Sequence, residues 1–226
     1  SATDDAARYR IETALVRMEG DALDQFRDRL RATVLTLCET VLTPAAIEPA
    51  ALAARVEAAA AMFARAADER VIRLHPNYHG YDLQAPAFRQ LLPLAAKHRL
   101  LVQLVIQMEN ERTQNPQVRV APVDLKPLSG ILQEMKEPRI MLLNANAAML
   151  LRHLQECPNV WIDFAMIEGV GGVENLLKTW PLERLVFGSF APVFYWESAR
   201  LKMQESALSA AQTKAVQWQS ASALLA

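Results

Sequence analysis

The sequence VIRLHPNYHGYDL at residues 71–83 joins a short apolar run to a polar loop. The apolar run fits a buried strand, and Pro76 and Gly80 then break the strand and turn the chain. In an α/β protein, the loop that follows a strand presents chemistry at the carboxyl end of the sheet. We therefore predict a functional site there. The candidate site residues in this loop are His75, Tyr78, His79 and Tyr81.

Working outward from this loop, apolar segments alternate with helical patterns along the whole chain. The predicted strands are 11–18, 33–42, 71–75, 100–108, 139–144, 160–165 and 185–189. The predicted helices are 4–9, 21–31, 49–68, 86–99, 124–136, 147–156, 172–179 and 197–226. Strands that are separated by helices form a parallel sheet. Seven strands are one fewer than a closed α/β barrel of eight contains.

The length and charge of the chain limit the classes of protein that it fits. With 226 residues and no linker-like segment, the chain is predicted to form one domain, residues 1–226. The formal charge is −1 with both signs interspersed, which argues against nucleic acid and anionic membranes as partners. We expect a small-molecule substrate or ligand instead.

Cysteine content and hydropathy suggest the cellular setting. Cys38 and Cys157 lie far apart and lack metal-type spacing, so we favour a reduced, cytoplasmic protein, with one long-range disulfide as the alternative. No apolar run approaches the roughly 18 residues of a membrane span, and we expect no membrane association. Because the chain opens with Ser1 rather than Met, we expect a processed or trimmed amino terminus.

Each candidate residue has a functional and a structural interpretation. His75 and His79 could act as metal ligands or general bases, or could order the loop. Three charged residues follow a predicted strand and would either project over the sheet end or form a solvated loop: Glu109, Glu111 and Arg112. Asp163 lies within an apolar strand, where an unpaired carboxylate is costly, so it is either catalytic or paired with His75 or an arginine such as Arg73.

Two later segments add weaker candidates. Glu168 precedes the glycine-rich turn 169–172, which either exposes backbone N–H groups to an anion or only turns the chain. Tyr195 lies in an aromatic cluster that could wall a pocket or serve packing or a subunit contact.

Four motifs together resemble the amidohydrolase superfamily, in its branch related to aminocarboxymuconate semialdehyde decarboxylase. They are RLHPNYHGYDL, QMENERTQNP, EGVGG and VFGSFAPVFYWESARLKMQES. The resemblance covers residues 11–226 and implies a distorted (β/α)8 TIM-type barrel in which 11–18 is the second strand and 71–75 the fourth. The first strand is then absent from this chain.

The resemblance also implies a bound divalent metal such as zinc, manganese or iron, held by histidines and an aspartate. This chain departs from that ligand pattern, because it contains no His-x-His. Residues 105–107 and Asn144 stand where the histidines of the fifth and sixth strands would lie, and Phe190 stands where the aspartate would lie. Phenylalanine cannot ligate a metal.

Two functions remain open from the sequence. The first is a divergent hydrolase or decarboxylase that acts on a small polar or carboxylate substrate at the barrel mouth. The second is a non-catalytic barrel that binds a ligand or assembles subunits. A barrel without its first strand exposes two sheet edges, so we expect either an unseen amino-terminal strand or a homo-oligomer.

Overall fold

The computed structural model describes residues 70–110, 112, 114, 116 and 119–225. All of these residues belong to one compact unit of the chain. The predicted strands 11–18 and 33–42, and the predicted helices that end before residue 70, lie outside the described residues. The single-domain prediction for residues 1–226 therefore stays a prediction.

Four consecutive parallel strands form the sheet, in the order β1, β2, β3, β4. Their bounds are Val71–Leu74, Leu101–Val105, Arg139–Leu143 and Val160–Ile162. The pairing register places Arg73 opposite Gln103, and Gln103 opposite Met141. The parallel sheet that the alternating pattern predicts is thus confirmed for this part of the chain, with strands somewhat shorter than expected.

Three helices connect the four strands and pack against one face of the sheet, and further helices follow β4. The α-helices are α1 Pro86–Lys97, α2 Lys126–Glu134, α3 Ala147–His153, α4 Gly172–Leu176, α5 Trp196–Glu205, α6 Ala210–Lys214 and α7 Ser220–Leu225. A 3-10 turn covers Leu182–Arg184, and a π-helix joins α6 to α7 over Ala215–Gln219. Proline at the first turn suits α1 and α2, and the Asn146 side chain caps α3 by accepting from the Met149 N–H.

Alternate residues of each strand face two different apolar clusters. Ile72, Val102 and Ile140 belong to the large core that packs against the helices. Leu101, Val105 and Met141 belong to a smaller cluster on the opposite face, which we call the inner face. Burial on both faces explains why these strands read as nearly continuous apolar runs.

The end of the chain closes the amino-terminal side of the inner face. Leu224 of α7 is 4% exposed and packs in the inner-face cluster with Leu101. The Arg139 guanidinium donates to the Leu224 carbonyl at 2.7 Å and to the Arg99 carbonyl at 2.6 Å. Arg70 donates to the carbonyl of Leu225. These contacts lie at the amino-terminal ends of the strands, and the carboxyl ends lie at the opposite edge of the sheet.

Two predicted elements differ from the structure. The strand predicted at 185–189 is reduced to one parallel bridge between Leu185 and Ile162. After Val186 donates to the Ile162 carbonyl, the Phe187 N–H donates instead to Val216, so the backbone leaves the sheet. The helix predicted at 197–226 is interrupted after Glu205, because Ser206 adopts an extended conformation.

Other properties of the described residues bear on the sequence predictions. None of the described helices has the length and apolar character needed to cross a membrane. Cys157 is a buried free thiol, and Cys38 lies outside the described residues.

Candidate functional site

The candidate site lies along the carboxyl ends of the strands, which meet at one edge because the strands are parallel. We call this edge the mouth and define it by one residue that lies within three positions after each strand or bridge. They are His75 after β1, Gln107 after β2, Asn144 after β3, Asp163 after β4 and Gly188 after the bridge at Leu185.

His75 and His79 come together in the loop that follows β1. The His79 N–H donates to the His75 carbonyl at 3.0 Å, and the Tyr81 N–H donates to the Pro76 carbonyl at 3.1 Å. This tight loop sets the two imidazole rings edge to face, with centroids 5.8 Å apart. Nδ1 of His75 is buried and has no hydrogen-bond partner among the described residues.

The surroundings of both histidines favour the neutral imidazole. Burial lowers the pKa of His75 below 6.5, and the charges of His79 and Arg73 lower it further. Burial also lowers the pKa of His79. A neutral imidazole at pH 7 can accept a proton, so His75 is suited to the role of a base.

Replacing His79 with glutamine is expected to raise the pKa of His75, because protonated His79 disfavours a second positive charge on His75. The measurement is an NMR titration of the imidazole resonances in the wild type and the variant. His98→Gln is the control, since His98 follows α1 at the amino-terminal side of β2. An unchanged titration of His75 in the His79 variant would contradict this coupling.

Asp163 is buried at the end of β4 and is only 2% exposed. It directly follows the strand, whereas the sequence places it within one, because β4 ends at Ile162. Its Oδ1 accepts the Asn144 N–H at 3.0 Å. Burial raises the pKa of Asp163 from 3.8 to about 6, against opposing effects from hydrogen bonds with the Asn144 and Ala165 N–H groups and from the charges of Lys202 and Arg73.

Asn144 joins the ends of three strands. Its backbone is in the left-handed region with φ 60°, a conformation that asparagine tolerates better than most residues. Its backbone N–H donates to Asp163, and its side-chain Nδ2 donates to the Gln107 carbonyl at 2.8 Å. Its Oδ1 is buried without a hydrogen-bond partner among the described residues. The amide therefore has one acceptor left for a ligand or a water molecule.

Lys202 of α5 lies near two of the predicted acidic residues, Asp163 and Glu168, and was not predicted from the sequence as a site residue. Its Nζ donates to the Ala165 carbonyl at 2.5 Å. Burial lowers the pKa of Lys202, while the charges of Glu168, Asp163 and Glu205 raise it. Lys202 is thus within electrostatic reach of both Asp163 and the exposed Glu168. The sequence did not indicate this proximity, because Lys202 is more than thirty positions from Asp163 and Glu168.

The remaining predicted residues are more dispersed. Tyr78 is 38% exposed, and burial and the charge of Glu109 raise its pKa, which places these two side chains near each other. Tyr81 packs against the large core, and burial raises its pKa. Tyr195 is 84% exposed and lines a surface cavity of about 560 Å³ together with Lys202.

The loop after β2 accounts for the last two predicted residues. Arg112 is exposed, and its backbone N–H donates to the Asn110 side chain at 3.0 Å. Glu111 lies outside the described residues.

The described residues do not fit the metal centre that the resemblance implies. They contain no group of three or more His, Cys, Asp or Glu side chains that could hold a metal ion. Gln107 and Asn144 at the mouth are amides, and Phe190 lies in the inner-face cluster. No chemical step is therefore assigned to a metal.

Comparisons with known proteins agree on one fold. A family model described as amidohydrolase matches residues 7–223. The structure of 2,6-dihydroxybenzoate decarboxylase from Rhizobium is similar with a TM-score of 0.62 at 11% identity, over 93% of this chain and 80% of that one. The comparison with curated proteins gave no match.

Two further solved structures show the same likeness over a smaller share of their length. For 5-carboxyvanillate decarboxylase from Sphingomonas paucimobilis, the TM-score is 0.59 at 12% identity, over 79% of this chain and 63% of that one. For a dihydroxybenzoic acid decarboxylase from Polaromonas with bound manganese and 2-nitroresorcinol, the TM-score is 0.51 at 11% identity, over 79% of this chain and 66% of that one. At such identities the likeness concerns the fold, which is that of a TIM-type α/β barrel.

Proposed function

Because the chain belongs to the amidohydrolase family, whose model it matches over residues 7–223, we propose that it is a divergent decarboxylase or hydrolase of a small carboxylate substrate. The reaction would take place at the mouth. Decarboxylation is the preferred reaction, since the similar structures named above are decarboxylases of hydroxylated aromatic acids.

The observation that carries this proposal is the buried carboxyl of Asp163 at the mouth. With a pKa of about 6, it can hold and release a proton near neutral pH, as an acid–base catalyst must. His75, with its lowered pKa, complements it as a neutral base at the end of β1. Two titratable groups with pKa values displaced from their usual values mark a candidate catalytic site.

These groups can serve either reaction with balanced proton transfer. In decarboxylation, the bond between the substrate carbon and its carboxylate breaks, CO2 leaves, and the electron pair stays on the carbon. The protonated Asp163 supplies the proton that this carbon takes up. In hydrolysis, the oxygen of water bonds to the substrate carbon while an ionised Asp163 or a neutral His75 accepts its proton. The bond from that carbon to the leaving group then breaks, and the same side chain returns the proton to the leaving group.

A turnover assay tests the proposal. The purified chain would be incubated with 2,6-dihydroxybenzoate and 5-carboxyvanillate, and substrate loss and CO2 release would be followed by chromatography and mass spectrometry. We expect turnover in the wild type and a loss of at least about a hundredfold in Asp163→Asn, as for removal of an acid–base group. Asp124→Asn is the matched control, because Asp124 is an exposed residue that only accepts the Lys126 N–H.

The second candidate function is a non-catalytic barrel that binds a ligand. The amides Gln107 and Asn144 at the ends of β2 and β3 favour it, because amides bind ligands but transfer no protons at neutral pH. Binding of these acids without any turnover would support this function. Turnover that is equal in the wild type and Asp163→Asn would contradict the role of Asp163.

A further inference from the structure

We propose that the guanidinium of Arg73, which Gln103 orients on the inner face of the sheet, binds the carboxylate of the ligand. This inference rests on the proposed function for the chemical class of the ligand. It goes beyond that function by naming the side chain that recognises the carboxylate.

The register of the sheet places Arg73 in a row of interacting side chains. Arg73 and Gln103 are partners on β1 and β2, and Gln103 and Met141 are partners on β2 and β3. Arg73 Nε donates to Gln103 Oε1 at 2.8 Å. Gln103 Nε2 donates to the Met141 sulfur, a weak acceptor, at 3.5 Å. The row holds the guanidinium in one orientation before any ligand arrives.

Arg73 forms no ion pair within the described part of the chain, although the carboxyl of Asp163 lies within its electrostatic reach. Its neighbours Ile72 and Leu74 are buried on the helix side, so Arg73 lies on the inner face, where it is exposed. No described carboxylate forms an ion pair with it, and its two Nη groups donate to no described residue. A planar fork of N–H donors that is fixed at Nε matches the two oxygens of a carboxylate.

The surroundings of Arg73 on the inner face are apolar. Val105 and Leu143 are partners one step closer to the mouth, and both belong to the inner-face cluster. Trp161 is half-buried, packs against the same cluster and is the partner of Met141 on β4. A guanidinium beside apolar and aromatic side chains of the described strands favours a small aromatic monocarboxylate over a polyanion.

The position of Arg73 also relates the ligand to the acid–base groups of the mouth. The charge of Arg73 lowers the pKa of both His75 and Asp163, so it lies within electrostatic reach of both side chains. A bound carboxylate would offset this charge. We therefore expect ligand binding to raise the pKa of His75, which an NMR titration with and without the ligand would detect.

Calorimetry on the full chain, with three probes, tests the role of Arg73 as the residue that binds the carboxylate, which we call the anchor. Benzoate and 2,6-dihydroxybenzoate carry the carboxylate, and benzamide is the neutral analogue. We expect the wild type to bind the two carboxylates more tightly than benzamide. In Arg73→Gln, we expect the affinity for both carboxylates to fall by about ten- to a hundredfold, the effect of losing hydrogen bonds to a charged group. Benzamide binding should not change.

Further variants separate charge, orientation and general surface effects. Arg73→Lys keeps the charge without the fork and should weaken carboxylate binding less than Arg73→Gln. Gln103→Leu removes the orienting acceptor and should weaken it less than Arg73→Gln as well. Arg89→Gln is the control, because Arg89 pairs with Glu134 on the helix side and should leave binding unchanged. Circular dichroism would verify that each variant is folded.

The outcomes distinguish this inference from the proposed function. Equal binding of benzoate and benzamide, no binding of any probe, or carboxylate binding that survives in folded Arg73→Gln would overturn the anchor. In the last case, turnover in the wild type would leave the proposed function standing. Carboxylate binding that depends on Arg73 without any turnover would support the anchor and refute catalysis.

Discussion

Replacing Gly188 with alanine is expected to lower the free energy of unfolding by about 2–3 kcal/mol, the usual cost of overpacking a filled site. A Cβ at this position would lie 2.5 Å from Cβ of Asp163 and 2.9 Å from its Oδ2. Asp163 cannot move aside freely, because it is buried and its Oδ1 accepts the Asn144 N–H. The clash involves the base of the Asp163 side chain, which is fixed to the backbone.

Urea denaturation of the wild type and the variant measures this effect at constant pH. Gly130→Ala is the matched control, because Gly130 lies inside α2 and an added Cβ would meet no atom within 4 Å other than those of its own helix backbone and chain neighbours. That change should stabilise the protein by about 0.5–1 kcal/mol, the helix propensity difference between glycine and alanine. A Gly188 variant as stable as the wild type would contradict the close approach of the 188 backbone to Asp163.

The described strands could be predicted from the sequence because each is a short apolar run with both faces covered. The segments 100–108 and 139–144 lack alternation, as strands of a parallel sheet do when helices cover one face and the inner-face cluster covers the other. The proline and glycine of the loop after β1 marked the end of that strand. The sequence of each of these segments was therefore sufficient to predict its strand.

The strand predicted at 185–189 shows where local pattern is insufficient. Its composition fits a strand, but the Phe187 N–H finds its acceptor at Val216, in the π-helix near the end of the chain. The strand is therefore lost to a contact between residues about thirty positions apart, which no window of sequence contains. The break at Ser206 in the predicted terminal helix has the same character, since the Ala207 N–H donates to Glu174.

The sequence indicates which polar residues follow the apolar strands, but not which side chains they contact. Polar residues that follow apolar strands directed attention to His75 and Asp163. Lys202 and the contact of Gly188 with Asp163 were not predicted, because each depends on how separate elements pack together. The orientation of Arg73 by Gln103 depends likewise on the register of two strands, which the sequence does not reveal.

Replacing Asp163 with asparagine is expected to remove a strong pH dependence of stability. The pKa of Asp163 rises from 3.8 to about 6 on folding. Between these two values, the native state retains a proton that the unfolded state has released. The free energy of unfolding therefore falls as the pH rises through this window, and the loss is complete above about pH 6. A shift of about two units corresponds to roughly 3 kcal/mol.

The comparison of two stability curves isolates this contribution, because every other titrating group is common to both proteins. Urea denaturation from about pH 4 to pH 7 should show the stability of the wild type falling by roughly 3 kcal/mol relative to Asp163→Asn. Parallel curves would mean that Asp163 ionises with an ordinary pKa. In Lys202→Gln, the loss of a nearby cation should raise the pKa of Asp163 further and move the window to higher pH. A window that stays in place would exclude Lys202 from the electrostatic control of the buried carboxyl.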